Sequence, residues 1–162
     1  IDLHKEYITQ KKLFIDKYTS LLDEDERELS VTEMNSFFDN VVGACDDDMK
    51  RFSNTLVKML GKNDSIEIRV QGFTSPRADD DYNIQLSRRR ISTIINYLKE
   101  FENKDLADAI NEGRLIIVEE PIGEAQAPDY VSDKINDPRK SIFSIEASVE
   151  RRVEIVEVNR RN

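Results

Sequence analysis

Apolar positions recur along this chain with two periods, and the switches between them mark out its elements. Residues 3 to 22 carry Tyr7, Ile8, Phe14, Ile15, Tyr18, Leu21 and Leu22 at helical spacing, which predicts a first helix. The acidic run DEDERE, 23 to 28, reads as a solvated linker or helix end. A longer stripe follows in Phe38, Val41, Val42, Cys45, Met49, Phe52, Leu56, Met59 and Leu60, stepping by three and four. It predicts a second helix with Thr32 as N-cap and Gly61 as its C-terminal stop. From 65 to 72 the period changes to two: Ile66, Ile68 and Val70 alternate with Glu67, Arg69 and Gln71, the signature of a strand with one buried face.

The connection FTSPRA leads into a third helix, 80 to 101, with Ile84, Ile91, Ile94, Ile95, Leu98 and Phe101 on its apolar side. In RLIIVEEP the unbroken run Leu115 to Val118 predicts a strand buried on both faces. Residues 121 to 141 hold three prolines and read as a long excursion, a kind of segment that is usually functional or mobile. A final strand is predicted over 149 to 158. Helices alternating with strands imply a sheet with helices packed on one face, an α+β class. Periodicity leaves the strand order open, as it does a further strand before residue 1.

The chain has 162 residues, enough for one domain with a real core. A net charge of −9 repels nucleic acid and anionic membrane surfaces, so neither is an expected partner. No apolar run approaches the roughly 20 residues that cross a bilayer. No secretory leader is recognisable either, but the opening IDLHKEY, without Met and already in helical pattern, reads as part of a longer protein. The lone Cys45 lies in an apolar helical register and is expected to be buried and inert. The one histidine, His4, has no partner for zinc or a catalytic triad. Asp46, Asp47 and Asp48 lack the spaced ligands and glycine of a calcium loop. No cofactor, metal or enzymatic activity is therefore expected.

The candidate chemistry lies at the start of the third helix. Asn83, Ser87 and Arg90 share one stripe, whereas Arg88 and Arg89 are rotated away by about 100° per residue. Asp80 or Asp81 suits the free amides of the first helical turn. A guanidinium fork beside helix N-terminal amides fits a carboxylate, and a nearby acid or carbonyl oxygens would add a place for an ammonium. The alternative is a capped helix with a solvated charged face.

The stretch IEIRVQGFTS…YNIQLSRRRISTIINYL, followed far downstream by ERRVEI, resembles the OmpA-like peptidoglycan-binding domain. That family shows a strand ending in G-H-T-D, then Y-N-x-x-L-S-x-x-R-A, a helix ending in Y-L, and N-R-R-V-E. Gly72, Thr74, Tyr82, Asn83, Leu86, Ser87, Arg90, Tyr97, Leu98, Arg151, Arg152, Val153 and Glu154 match in order, and Gly123, Glu124 and Pro128 resemble its G-E-x-x-P segment. The resemblance spans about residues 36 to 158 and is nearest to a divergent form at the C-terminus of Bacteroidetes envelope proteins. It implies a β-α-β-α-β-β sandwich over 31–162, preceded by a helical extension over 1–30. It also implies non-covalent binding of the diaminopimelate of the peptidoglycan stem, anchoring an outer-membrane-associated periplasmic protein to the cell wall.

By this resemblance Arg90 binds the ligand carboxylate and Asn83 helps orient it. Phe73, Thr74, Ser75, Asp81, Ser87, Arg151 and Arg152 complete the candidate set, with alternation allowing only one of the last two to point inward. Phe73 stands where the family has His, and Ser75 where it has the ligand-binding Asp. Asp79, Asp80 or Asp81 could replace that charge. The other function compatible with these departures is a scaffold that contacts envelope proteins through the excursion and the N-terminal helix.

Overall fold

The computed structural model describes residues 3–61 and 64–161, the side chains of Leu3 and His4 excepted. The expectation made for His4 thus falls outside the described side chains. Helix α1, Leu3–Thr19, is followed by α2, Glu24–Phe37. Of the two readings of the run DEDERE, linker or helix end, the structure has the helix end: it caps and starts α2. Asp23 caps it by accepting the Glu26 amide at 3.0 Å, and Glu24, Asp25 and Glu26 sit against the positive end of the helix dipole. Thr32 is no cap; it lies inside α2, where its hydroxyl donates to the Glu28 carbonyl. Helix α2 also crosses residues 30 and 31 without a break, so the expected boundary between extension and domain falls within a helix.

A π-helical turn, Phe38–Val42, joins α2 to α3, Gly43–Leu60. The wider turn shifts the phase of the apolar stripe. Phe38 accordingly packs edge-on against Tyr7 and Phe14 of α1, while Leu56 and Leu60 join the core over the sheet. Between these two clusters, Val41, Val42 and Cys45 are exposed, which corrects the expected burial of the cysteine. Asp46 pairs with Lys50 and Asp48 with Arg51 on the exposed arc of α3. The backbone of Gly61 is right-handed, so α3 ends without a left-handed glycine cap.

Strand β1, Ser65–Phe73, is central in a three-stranded sheet of order β2-β1-β3. It pairs in parallel with β2, Leu115–Gly123, and antiparallel with β3, Val153–Arg161. Ile66, Ile68 and Val70 are completely buried, and the predicted alternation is followed residue by residue. On the opposite face Arg69 reaches both Glu120 (2.6 Å) and Glu157 (3.0 Å), and Gln71 donates to Glu120 (2.8 Å). Strand β2 lies at an edge of the sheet, so of Leu115 to Val118 only Leu115 is fully buried, rather than the whole run on both faces.

Helix α4, Asp80–Glu100, covers the sheet with Ile91 and Leu98, joined by Leu106 and Ala109 of α5, Asp105–Asn111. Periodicity gives no hint of α5, which is only 7 residues long. Two short helices, α6 (Pro138–Ser141) and α7 (Ile145–Val149), precede β3. Ser144 caps α7 through the Ala147 amide, so the expected strand start at 149 moves to Val153. The α1–α2 hairpin docks on this region: Phe14 makes an edge contact with Phe143, and Met34 and Thr19 are buried.

The chain is thus a mixed α/β structure built on a three-stranded mixed sheet, compatible with the α+β class. The implied β-α-β-α-β-β order has four strands, whereas the described residues form three, with α1 to α3 ahead of the first. Among the described residues, no helix is long and apolar enough to cross a membrane.

Candidate functional site

Two glycines set the start of α4 close against the C-terminal ends of the parallel strands. A Cβ on Gly72 would lie 2.6 Å from the Ser87 carbonyl oxygen, so only glycine lets β1 and α4 approach this closely. Gly123, at φ +65°, would bring a Cβ to 3.1 Å from Ile84. The stripe expected to be polar is therefore pressed into the fold. Asn83 and Ser87 are buried, and the Ser87 hydroxyl donates to the Ile84 carbonyl at 2.8 Å. The Asn83 amide donates to the Ala78 carbonyl (3.0 Å) and to Glu124 Oε2 (2.6 Å), tying the loop after β1 to the end of β2.

One turn beyond Ser87, Arg90 donates to the Phe73 carbonyl at 2.5 Å. It borders a cleft of about 430 Å³, together with Ser75, Arg77, Asn83 and Arg151. Tyr82 and the apolar side chains of Leu86, Ile135 and Ile142 complete its walls. Arg77 reaches across to the Ile135 carbonyl at 3.2 Å, while its Nε is buried without a hydrogen-bond partner. Arg151 donates to the Ile142 carbonyl and to Ser148 Oγ, and its guanidinium lies 5.8 Å from the centre of the Phe14 ring.

Three guanidiniums thus converge on one cleft in a strongly acidic chain, and none of them forms a salt bridge among the described residues. Burial lowers the Arg90 pKa. Arg151 is pushed down to about 10, by burial first and then by repulsion from Arg90 and Arg77. Both remain cationic at neutral pH. Such an array stabilises an anion, above all a carboxylate that accepts paired N–H donors.

The expected site residues divide into two groups. Ser75, Asn83, Arg90 and Arg151 come together at the cleft. Thr74 and Ser87 are buried side chains outside its lining, and Phe73 contributes its backbone carbonyl while its ring is buried. Arg152 turns away: it lies 4.1 Å over the Phe73 ring and pairs with Glu150 and Glu154. Asp81 is exposed and outside the lining, which corrects its placement at the site. The cap of α4 is neither Asp80 nor Asp81 but Asp79, which accepts the Tyr82 amide at 2.9 Å. Asp80 instead faces Glu124 and, after burial, is the main cause of that carboxyl's raised pKa.

Arg77 is the site residue that the sequence does not single out. Its only signal is a basic residue in the connection FTSPRA, and it gains meaning when residues 135 and 151 arrive beside it. Arg88 and Arg89 are exposed, Arg89 lying 5.6 Å over the Tyr82 ring. The chain matches no protein-family model, no curated protein and no solved structure.

Proposed function

We propose that this chain is an OmpA-like peptidoglycan-binding domain. In this reading it holds carboxylates of the stem peptide, chiefly those of diaminopimelate, in the arginine cleft, and so tethers an outer-membrane-associated protein to the wall from the periplasmic side. The observation that carries this reading is the cleft of Arg77, Arg90 and Arg151 beside the buried Asn83, with no acid in its lining to neutralise it. The ordered motif from Gly72 to Glu154 supports it, since it singles out Arg90 independently of its geometry and includes Arg151 in the pair Arg151–Arg152. In this reading the domain binds and does not catalyse.

Co-sedimentation with purified sacculi tests the proposal. Wild-type protein pellets with the sacculi, and Arg90→Ala weakens this by roughly tenfold or more through loss of the charge-assisted fork. Wild-type protein remaining wholly in the supernatant refutes it. A second reading, a scaffold that contacts other envelope proteins, is favoured by the exposed Ile8, Leu21 and Leu29 of the α1–α2 hairpin. A partner recovered from envelope extract equally well by wild type and Arg90→Ala, without binding to sacculi, selects that reading.

A further inference from the structure

We infer that the arginine cleft reads carboxylates and disfavours an ammonium, taking a ligand with two carboxylates on a short aliphatic chain. The inference deepens the proposed function and rests on the cleft being the ligand site.

A site for an amino-acid-like zwitterion needs a cationic half and an anionic half. Here the anionic half is missing. Among the described residues, no carboxylate lines the cleft, and Ser75 offers only a neutral hydroxyl. The acids that stand nearby in sequence are turned to other uses. Asp79 is spent on the helix cap, Asp80 faces Glu124, and Asp81 is exposed outside the lining. Glu124 accepts from Asn83, and Glu150 and Glu154 hold Arg152 on the far side of Phe73.

What remains is three cations that repel one another and a neutral amide. With Nδ2 of Asn83 donating to Ala78 and Glu124, the group keeps only its neutral Oδ1 acceptor, which adds no charge to offset the three cations. An ammonium brought here meets the same repulsion that already lowers the Arg151 pKa. A second carboxylate relieves it. Leu86, Ile135 and Ile142 supply apolar wall for the methylenes between the two charges. For a wall peptide the consequence is specific: acylating the stem amine in a cross-link removes an ammonium and leaves carboxylates, so cross-linked stems remain ligands.

Pimelate and meso-diaminopimelate isolate the point, because they share one dicarboxylate chain and differ by two ammonium groups. Titration calorimetry at low ionic strength is expected to show pimelate binding about tenfold tighter or more than diaminopimelate, and Arg151→Gln weakening pimelate by a similar factor. Since Arg151 also braces Ile142, Arg77→Gln serves as the second variant, and circular dichroism melting confirms that both are folded. Diaminopimelate binding as tightly as pimelate, undetectable pimelate binding, or pimelate binding unchanged in both folded variants overturns the inference. Sacculi binding separates this from the proposed function. A protein that pellets with sacculi but ignores pimelate keeps that function and loses the inference. One that binds pimelate through these arginines but stays in the supernatant keeps the dicarboxylate site and loses wall anchoring.

Discussion

Gly72 lies so close to Ser87 that a Cβ would stand 2.6 Å from the Ser87 carbonyl oxygen and 3.0 Å from Ile91 Cγ1. The nearer atom belongs to a helix backbone, which has no rotamer to yield. Gly72→Ala must therefore push α4 from β1 and is expected to destabilise the fold by ~1–3 kcal/mol. Urea unfolding measures this directly. The same displacement draws Arg90 away from the Phe73 carbonyl, so under the proposed function binding to sacculi is expected to weaken even under conditions where the variant is fully folded.

Asp79 and Asp81 look interchangeable in the run of three aspartates, but only Asp79 accepts a backbone amide of α4. Asp79→Ala is expected to cost about 1 kcal/mol. Asp81→Ala stays within roughly 0.5 kcal/mol of wild type, as an exposed side chain does. Parallel thermal melts of the two variants check the contrast.

Arg152 neighbours Arg151 in sequence and differs from it in role. It covers the Phe73 ring and neutralises Glu150, whose residue is only 6% exposed. Arg152→Ala leaves that carboxylate buried without its cation, with an expected loss of ~1–3 kcal/mol. Under the proposed dicarboxylate site, pimelate affinity of the folded variant is expected to be unchanged, whereas Arg151→Gln is expected to lose affinity.

Glu124 should make stability depend on pH with an unusual sign. Burial first, and then Asp80, raise its pKa in the native state. The native state then holds the proton more tightly than the unfolded chain, so the contribution is favourable below the ordinary carboxylate range. It is lost as pH rises from that range through the native value. Glu124→Gln keeps an acceptor for Asn83 and removes the titration. Unfolding free energies of wild type minus variant, measured across that window, are expected to fall with pH.

Cys45 is exposed, with its thiol donating to the Val41 carbonyl. A thiol reagent such as Ellman's is expected to modify one equivalent in the native protein, without denaturant. Protection until unfolding would contradict the exposed placement.

Where burial follows a short local period, the sequence was sufficient. The alternation of Ile66, Ile68 and Val70 defined β1 within a residue, and Ile91 and Leu98 oriented α4. The 100° step of a helix is enough to separate Arg90 from Arg88 and Arg89. These features depend on neighbours in the chain. Less was legible wherever a local signal was short or met competition. Helix α5 has one turn of apolar anchors, and α7 takes the residues just ahead of β3 because Ser144 caps it. A π turn shifts a stripe that reads as continuous, and leaves Cys45 outside the core.

By itself, then, the sequence determined an α+β chain with β1 and α4 as its centre and Arg90 as the distinctive cation. Only the tertiary structure decided what surrounds that cation. Arg77 and Arg151 reach it because β3 runs beside β1 and Arg77 meets the excursion at Ile135, while Asp80 and Asp81 are turned away from it. Periodicity records which side of an element is buried. Which charges share a cleft depends on strand order and on how closely two backbones can approach, and at Gly72 that distance is set by the absence of a side chain.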